Sequence, residues 1–241
     1  MGEKQTTSSL AGETASIFSF LLTVPLLSGL SRSYLEELST HCRMVFRKKG
    51  TVIYRKEDIS NHLYIIKSGC IMESVFYGAS EDIIVKIRTN KEYFGEMGTL
   101  AGHVYPNTAL TLEDSTLIAM PKSYFLDTVW NHTCVCRVII HELMERLVNS
   151  AQNMVNAMYL DALGRLASTV VNLITSAQQK AMKIRVTQSA LASSSGMARQ
   201  TAAKILGDWR REGIISTERG RFCVLDFNRL LDIILESEIK D

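Results

Sequence analysis

The chain has 241 residues, 46% of them hydrophobic, enough for one large core or two modest ones. A formal net charge of +2 excludes any bulk electrostatic argument for nucleic acid or membrane. Five scattered cysteines (Cys42, Cys70, Cys134, Cys136 and Cys223), odd in number and preceded by no secretory signal, argue against a disulfide framework and fit a reduced cytoplasm.

Residues 1 to about 15 are small and polar and are expected to be loose. Ile17 to Leu27 reads as a short apolar helix. The most apolar stretch, Ile17 to Leu30, is broken by Pro25 and falls short of the ~20 residues a bilayer span needs, so no membrane partner is expected. Ser33-Tyr-Leu-Glu36 has the form of a capping box, with Ser33 as N-cap and Glu36 reaching back. From Arg43 to Pro121 the texture changes to short β-prone runs. They cover Met44–Arg47, Thr51–Tyr54, Leu63–Lys67, Cys70–Tyr77, Ile83–Thr89, Thr108–Leu112 and Ser115–Met120, with Gly, Asp, Asn and Ser between them. Strands spaced this regularly predict a sandwich or jelly roll, a shell able to hold a ligand.

A long helix from about Phe125 to Ala157 follows. Along it Cys136, Ile140, Met144, Leu147, Ala151, Met154 and Met158 recur at spacings of four and three, the period of a coiled-coil seam. The repeat predicts a homodimer interface formed by Ile140, Met144, Leu147, Ala151, Met154 and Met158. Leu160 to Gln178 forms a further helix, with Asp161 as its N-cap. The last segment reads as a strand (Met182–Val186), a helix capped by Thr187, a turn at Gly196, a second helix from about Ala198 to Trp209, a β pair and a closing helix (Phe227–Glu236).

Charge concentrates in this last segment. Residues 180–223 hold nine Lys/Arg against three acids, a local +6, while residues 1–179 sum to −1 and residues 224–241 to −3. A helix-turn-helix inside a cationic island, followed by a wing at Ile214–Ile215 and Phe222–Leu225, predicts binding to double-stranded DNA. Arg199, Gln200 and Lys204 share the outward face of the second helix. Arg suits guanine O6/N7 and Gln suits adenine N6/N7 in the major groove. Thr187, Ser189, Thr201 and Arg221 are placed for phosphates.

Catalytic and metal constellations are poorly supported. His141-Glu142 opens like a zinc-protease motif, but Glu145 stands where the second histidine belongs. Cys134 and Cys136 lie about 200° apart on a helix and cannot share one ion with His132 and His141. No enzyme and no metal site are therefore expected.

Over nearly its whole length the chain resembles the Crp/Fnr family of bacterial transcription regulators. The matching stretches are Gly50-Thr-Val-Ile-Tyr54, Leu63-Tyr-Ile-Ile-Lys-Ser-Gly69, Tyr93-Phe-Gly-Glu-Met97 and Val186–Ile215. The resemblance implies an α+β fold in three parts: a cyclic-nucleotide-binding-type jelly-roll sensor (1–122), a dimerising helix (123–160) and a winged helix-turn-helix (161–241). It places Arg199, Gln200 and Lys204 at the family's three base-reading positions. The middle position is commonly Glu, so the palindromic operator should depart from the best-known consensus. RNA polymerase follows as a further partner.

The same resemblance places effector contacts at Gly95, Glu96, Met97, Asn107, Thr108 and Ser150. Asn107-Thr108 stand where nucleotide-binding members carry a phosphate-pairing Arg. A buried phosphate without its charge partner costs ~3–5 kcal/mol, two to four decades in affinity. Ser150 and Ala151 leave one hydroxyl where two would meet a purine. The expected effector is thus a small molecule other than cyclic AMP. No cysteine precedes Cys42, which leaves no N-terminal iron–sulfur cluster, while haem stays open through any of five histidines. A cyclic-AMP-responsive or haem-dependent member of the family, and a nucleotide-binding signalling protein without DNA contact, are the alternative readings.

Overall fold

The computed structural model describes residues 3–76, 82–176, 183–184, 186–218 and 221–237. The chain divides into two compact units. One comprises Met1–Met72 with Arg88–Glu145, the other Glu73–Ile87 with Arg146–Asp241.

The first unit opens with helix α1 (Glu3–Leu21), a 3-10 turn at Pro25–Leu27 and α2 (Arg32–His41). Strands β1 (Arg43–Arg47), β2 (Val52–Tyr54), β3 (His62–Ser68), β4 (Ile71–Phe76), β5 (Asp82–Arg88) and β6 (Tyr93–Phe94) lead to the short helix α3 (Glu96–Ala101). Then come β7 (Thr108–Thr111), β8 (Ser115–Pro121), α4 (Lys122–Asn131) and α5 (Thr133–Tyr159). Strands β4 and β5 and helix α5 each run across the division between the units.

One antiparallel sheet takes the order β1-β8-β3-β6, with Val45 opposite Leu117, and Ile65 opposite Ile118 and Tyr93. Strand β2 pairs with β7, Val52 facing Leu110. Alternation along a strand sends neighbours to opposite faces. Leu63, Ile65, Ile118 and Met120 meet the helical layer of Ile17, Leu21, Leu35, Leu38, Phe125, Val129, Val135 and Ile139. Ile66, Phe94 and Leu117 meet Tyr54, Tyr105 and Ala109. The β domain is thus a two-sided core with helices covering one face.

Several expectations need correction. The chain is helical from Glu3, not loose through residue 15, because the helix is tied down. Ile17 and Leu21 are buried, Met44 N–H donates to Glu13 Oε1 at 2.9 Å, and Lys67 Nζ donates to Ser16 Oγ at 2.7 Å. Helix α2 starts two residues earlier than the capping box implied. Its N-cap is Ser31, whose side chain accepts from Tyr34 N–H at 3.2 Å, while Ser33 bonds only to Ser31 Oγ at 3.1 Å in that cap. The long helix does not begin near Phe125. His132 takes an extended conformation (φ −127°, ψ 99°) and divides α4 from α5. Cys136 packs against the first unit's core, so the outward apolar row starts at Ile140.

The second unit contains α6 (Ala162–Ser176), β9 (Lys183–Ile184), α7 (Gln188–Ser194), α8 (Arg199–Arg211), β10 (Ile215–Glu218), β11 (Arg221–Val224) and α9 (Phe227–Ser237). Asp161 caps α6, its Oδ1 accepting from Gly164 N–H at 3.0 Å and from the Ser237 hydroxyl at 2.9 Å. Helix α6 packs on α9 with Gly164 at the crossing, where a Cβ would stand 2.5 Å from that of Ser237. A three-stranded sheet of order β10-β11-β9 pairs Ile215 with Val224 and Phe222 with Ile184. The expected strand Met182–Val186 is therefore two residues long within the described chain. Of the two tryptophans, Trp209 lies buried in this unit, whereas Trp130 in the first unit is largely exposed. No helix among the described residues is long and apolar enough to cross a membrane.

Candidate nucleic-acid interface and effector site

Helix α7 forms where the sequence places its cap: Ala190 N–H donates to Thr187 Oγ1 at 3.1 Å. Gly196 turns the chain with φ +60°, a left-handed conformation that a residue without Cβ takes freely. Helix α8 then buries Ala202, Ile205, Leu206 and Trp209 and packs on α7, which buries Ala190 and Leu191. These spacings of three and four leave Arg199, Gln200, Thr201 and Lys204 exposed on the other side. Thr187 is exposed and Ser189 half-buried. Arg221 opens β11, and its side chain, like residues 219–220 of the wing, lies outside the described residues.

Two residues that sequence reasoning passed over hold the turn. Ser195 is buried, and its single hydroxyl proton lies between Leu191 O at 2.8 Å and Thr169 Oγ1 at 2.9 Å. Arg165 on α6 reaches Ser195 O at 3.2 Å and Leu160 O at 2.9 Å. The reading helix is thus presented from a fixed support.

On α5, Ile140, Met144, Leu147, Met154 and Met158 are 54, 53, 62, 68 and 74% exposed, and Ala151 between them is exposed too. An apolar row of this length left in water is unusual for an isolated helix.

In the first unit, Gly95 adopts φ +87° at the start of α3, where a Cβ would crowd Tyr105 Cε1 at 3.1 Å and His62 O at 3.2 Å. Tyr105 stacks on Tyr54 (centroids 3.6 Å, 9°), and the Tyr54 hydroxyl donates to Asn107 Oδ1 at 3.4 Å. Burial pushes the Tyr105 phenol well above its ordinary value. Asn107 is buried, and Thr108, half-buried, accepts from Lys56 N–H at 3.1 Å. Gly95, Glu96, Asn107 and Thr108 are therefore gathered in one unit, with Met97 half-buried beside them. Ser150 is exposed on α5, in the part of that helix that belongs to the other unit.

In the first unit, the residue that sequence reasoning missed is Arg88. Its side chain and that of Glu96 are each 1% exposed, and Nη2 stands 3.6 Å from Glu96 Oε1. Nη1 donates to Glu142 Oε1 at 2.7 Å, and Glu92 borders it at 4.0 Å. The Tyr93 hydroxyl closes on the other oxygen of Glu142, and the Arg88 guanidinium lies 5.7 Å from the Tyr93 ring centroid. Burial first, then the Glu142 charge, holds the Tyr93 phenol far above its ordinary value, so it stays a donor. Glu142 belongs to α5 and is 20% exposed. Among the described residues no group of three or more His, Cys, Asp or Glu could hold a metal ion.

An exposed basic and amide face on a turn-supported helix, with a β wing beside it, defines a winged helix-turn-helix joined to a β domain of sensor type. Family comparison agrees on both parts: residues 44–132 match the cyclic nucleotide-binding domain and residues 164–233 the Crp-like helix-turn-helix domain. The cAMP-activated global transcriptional regulator of Haemophilus influenzae is 25% identical over 174 residues, covering 69% of this chain and 77% of that one. In fold, the chain is similar to FixK2 of Bradyrhizobium japonicum (TM-score 0.67, 14% identity, 80% of this chain and 96% of that one). It is also similar to the c-di-GMP-responsive global regulator CLP of Xanthomonas campestris (TM-score 0.64, 16% identity, 81% and 100%). The chain belongs to the Crp/Fnr family of DNA-binding transcription regulators, whose members are regulators and not enzymes.

Proposed function

We propose that the protein is a cytoplasmic homodimer that binds a palindromic operator and answers to a small-molecule effector other than cyclic AMP. The carrying observation is the exposed face of Arg199, Gln200 and Lys204 on a helix whose opposite side is fully buried. Arg199 and Gln200 read base edges, Lys204 completes the reading face, and Thr187, Ser189, Thr201 and Arg221 meet phosphates. Ala198, the N-cap of α8, has no side-chain cap bond, which leaves first-turn amides for the backbone of the duplex. RNA polymerase is the machinery the bound regulator addresses.

Dimerisation follows from the exposed row on α5, since two reading helices must sit ~34 Å apart to enter successive major grooves. The functional partition is a sensor over 1–122, a dimerising helix over 123–160 and a reader over 161–241. The effector reading rests on Asn107 and Thr108, which offer no cation to a phosphate, and on Arg88, which already holds carboxylates. Two of the similar proteins named above are described as cAMP-activated and c-di-GMP-responsive, so effector identity is not set by the fold.

The test is selection of bound sequences from random DNA with the purified protein, followed by a salt titration on the enriched site. The expected result is a palindromic consensus and a log K that falls by ~0.9 per phosphate contact as log salt rises. No enrichment, or an affinity indifferent to salt, would refute the assignment.

A further inference from the structure

We propose that Arg88 is the anion-recognition residue of the sensor and that Glu142 is its resident, displaceable ligand. The effector is then a small carboxylic acid bearing a hydroxyl or ammonium donor beside the carboxylate. This deepens the reading of an effector other than cyclic AMP and rests on it. Three observations carry it. Arg88 is buried, and a guanidinium is built to grip a planar oxyanion in two-point fashion. The carboxylate it holds at 2.7 Å comes from α5, while its other neighbours belong to the β domain and α3. Glu142 is the most accessible member with Glu92, at 20 and 21%, against 1% for Arg88 and Glu96, so it is the carboxylate a solute reaches and replaces.

The chemistry of the seat selects the ligand class. Glu142 receives one hydrogen bond from Arg88 and one from the Tyr93 hydroxyl, and an incoming carboxylate inherits both. Glu96, 3.6 Å from the same guanidinium, is an acceptor that meets a hydroxyl or ammonium on the adjoining carbon. A phosphate dianion is disfavoured next to Glu92 and Glu96. No covalent step is involved. Exchange of one carboxylate for another frees Glu142, and with it the tie between β5 and α5, the helix that carries the apolar row.

The experiment removes the resident anion and supplies one from solution. Full-length Glu142→Ala is expected to lose roughly 5–15 °C of thermal midpoint, because a buried cation loses the carboxylate that sits at hydrogen-bond distance from it. Glycolate or glycine should restore most of that loss and acetate less, whereas chloride and inorganic phosphate should not. The wild type should need at least tenfold more glycolate for any shift, since Glu142 competes. Glu142→Gln, which keeps the volume, serves if the alanine variant does not fold. The double variant Arg88→Met/Glu142→Ala should show no restoration. Equal restoration in the double variant, or none in either single variant, overturns the proposal. DNA binding of the same samples, read by gel shift, is scored separately. Restoration without DNA binding removes the regulator reading and spares the anion seat, and DNA binding without restoration does the reverse.

Discussion

Replacing Leu147 with Glu tests the dimer seam at its middle. Leu147 is 62% exposed in the single chain, so the substitution disturbs little of the folded protomer. Fully burying a Leu, Ile or Met side chain stabilises by about 1.5–3 kcal/mol, and the five exposed members of the row have 53 to 74% of their surface left to bury. Each therefore contributes roughly 1–2 kcal/mol on pairing. Ten such side chains in a symmetric pair give about 10–20 kcal/mol gross, against an association cost of about 4–15 kcal/mol. At mid-range the gross gain exceeds the cost by about 5 kcal/mol, so pairing is favourable and a single change in the row is able to undo it. A Glu at this position forfeits the apolar gain twice and brings two like charges together, a loss of at least about 4 kcal/mol, or a thousandfold in dissociation constant. Sedimentation equilibrium over a concentration series should show wild-type dimer and Leu147→Glu monomer, with unchanged circular dichroism. A variant that sediments as the wild type does, or a wild type that is monomeric at every concentration, would refute the seam.

Three further outcomes follow from other parts of the molecule. Arg199→Ala should weaken the selected operator by about 1–3 kcal/mol and relax preference at one base pair, whereas Thr201→Ala should weaken all sequences alike, as competitive selection would show. Gly69→Ala should lower the thermal midpoint by roughly 5–15 °C, because Gly69 has φ +109° and a Cβ there would run into Ser115. Burial pushes the Cys42 thiol up to about 12. Its folded value lies above the unfolded one, about 8.5, so its contribution is complete below that pH and is lost as pH rises toward 12. Thermal midpoints between about pH 8.5 and 11 should therefore fall less steeply in Cys42→Ala than in the wild type. Equal slopes would count against the burial argument.

What was legible in the sequence was local. Helix α7 with its Thr187 cap, the Gly196 turn, the reading helix α8 and the Asp161 cap of α6 each announce themselves within a few residues, and the structure forms them there. Most strands of the β domain also follow from alternation and turn residues, but Tyr93–Phe94 is too short to show a period. The start of α2 was misplaced because Ser31 and Ser33 both offer a capping hydroxyl, and only the backbone decides between them. The break at His132 was invisible because apolar residues continue through it in near-helical phase. Arg88 was missed for a different reason. Its partner Glu142 lies 54 positions away, on a helix face that reads as ordinary solvated charge. Pairs made by folding leave no spacing signal, and this one sits in the region that was read for an effector.

The two indoles offer a means to watch the halves of the molecule apart. Trp130, 68% exposed, belongs to the first unit, and Trp209, 2% exposed, to the second. A solvent-bathed indole emits at longer wavelength than a sequestered one and meets iodide first. A single emission spectrum thus carries one reporter per half, and loss of the blue component alone marks melting of the reader while the sensor stands.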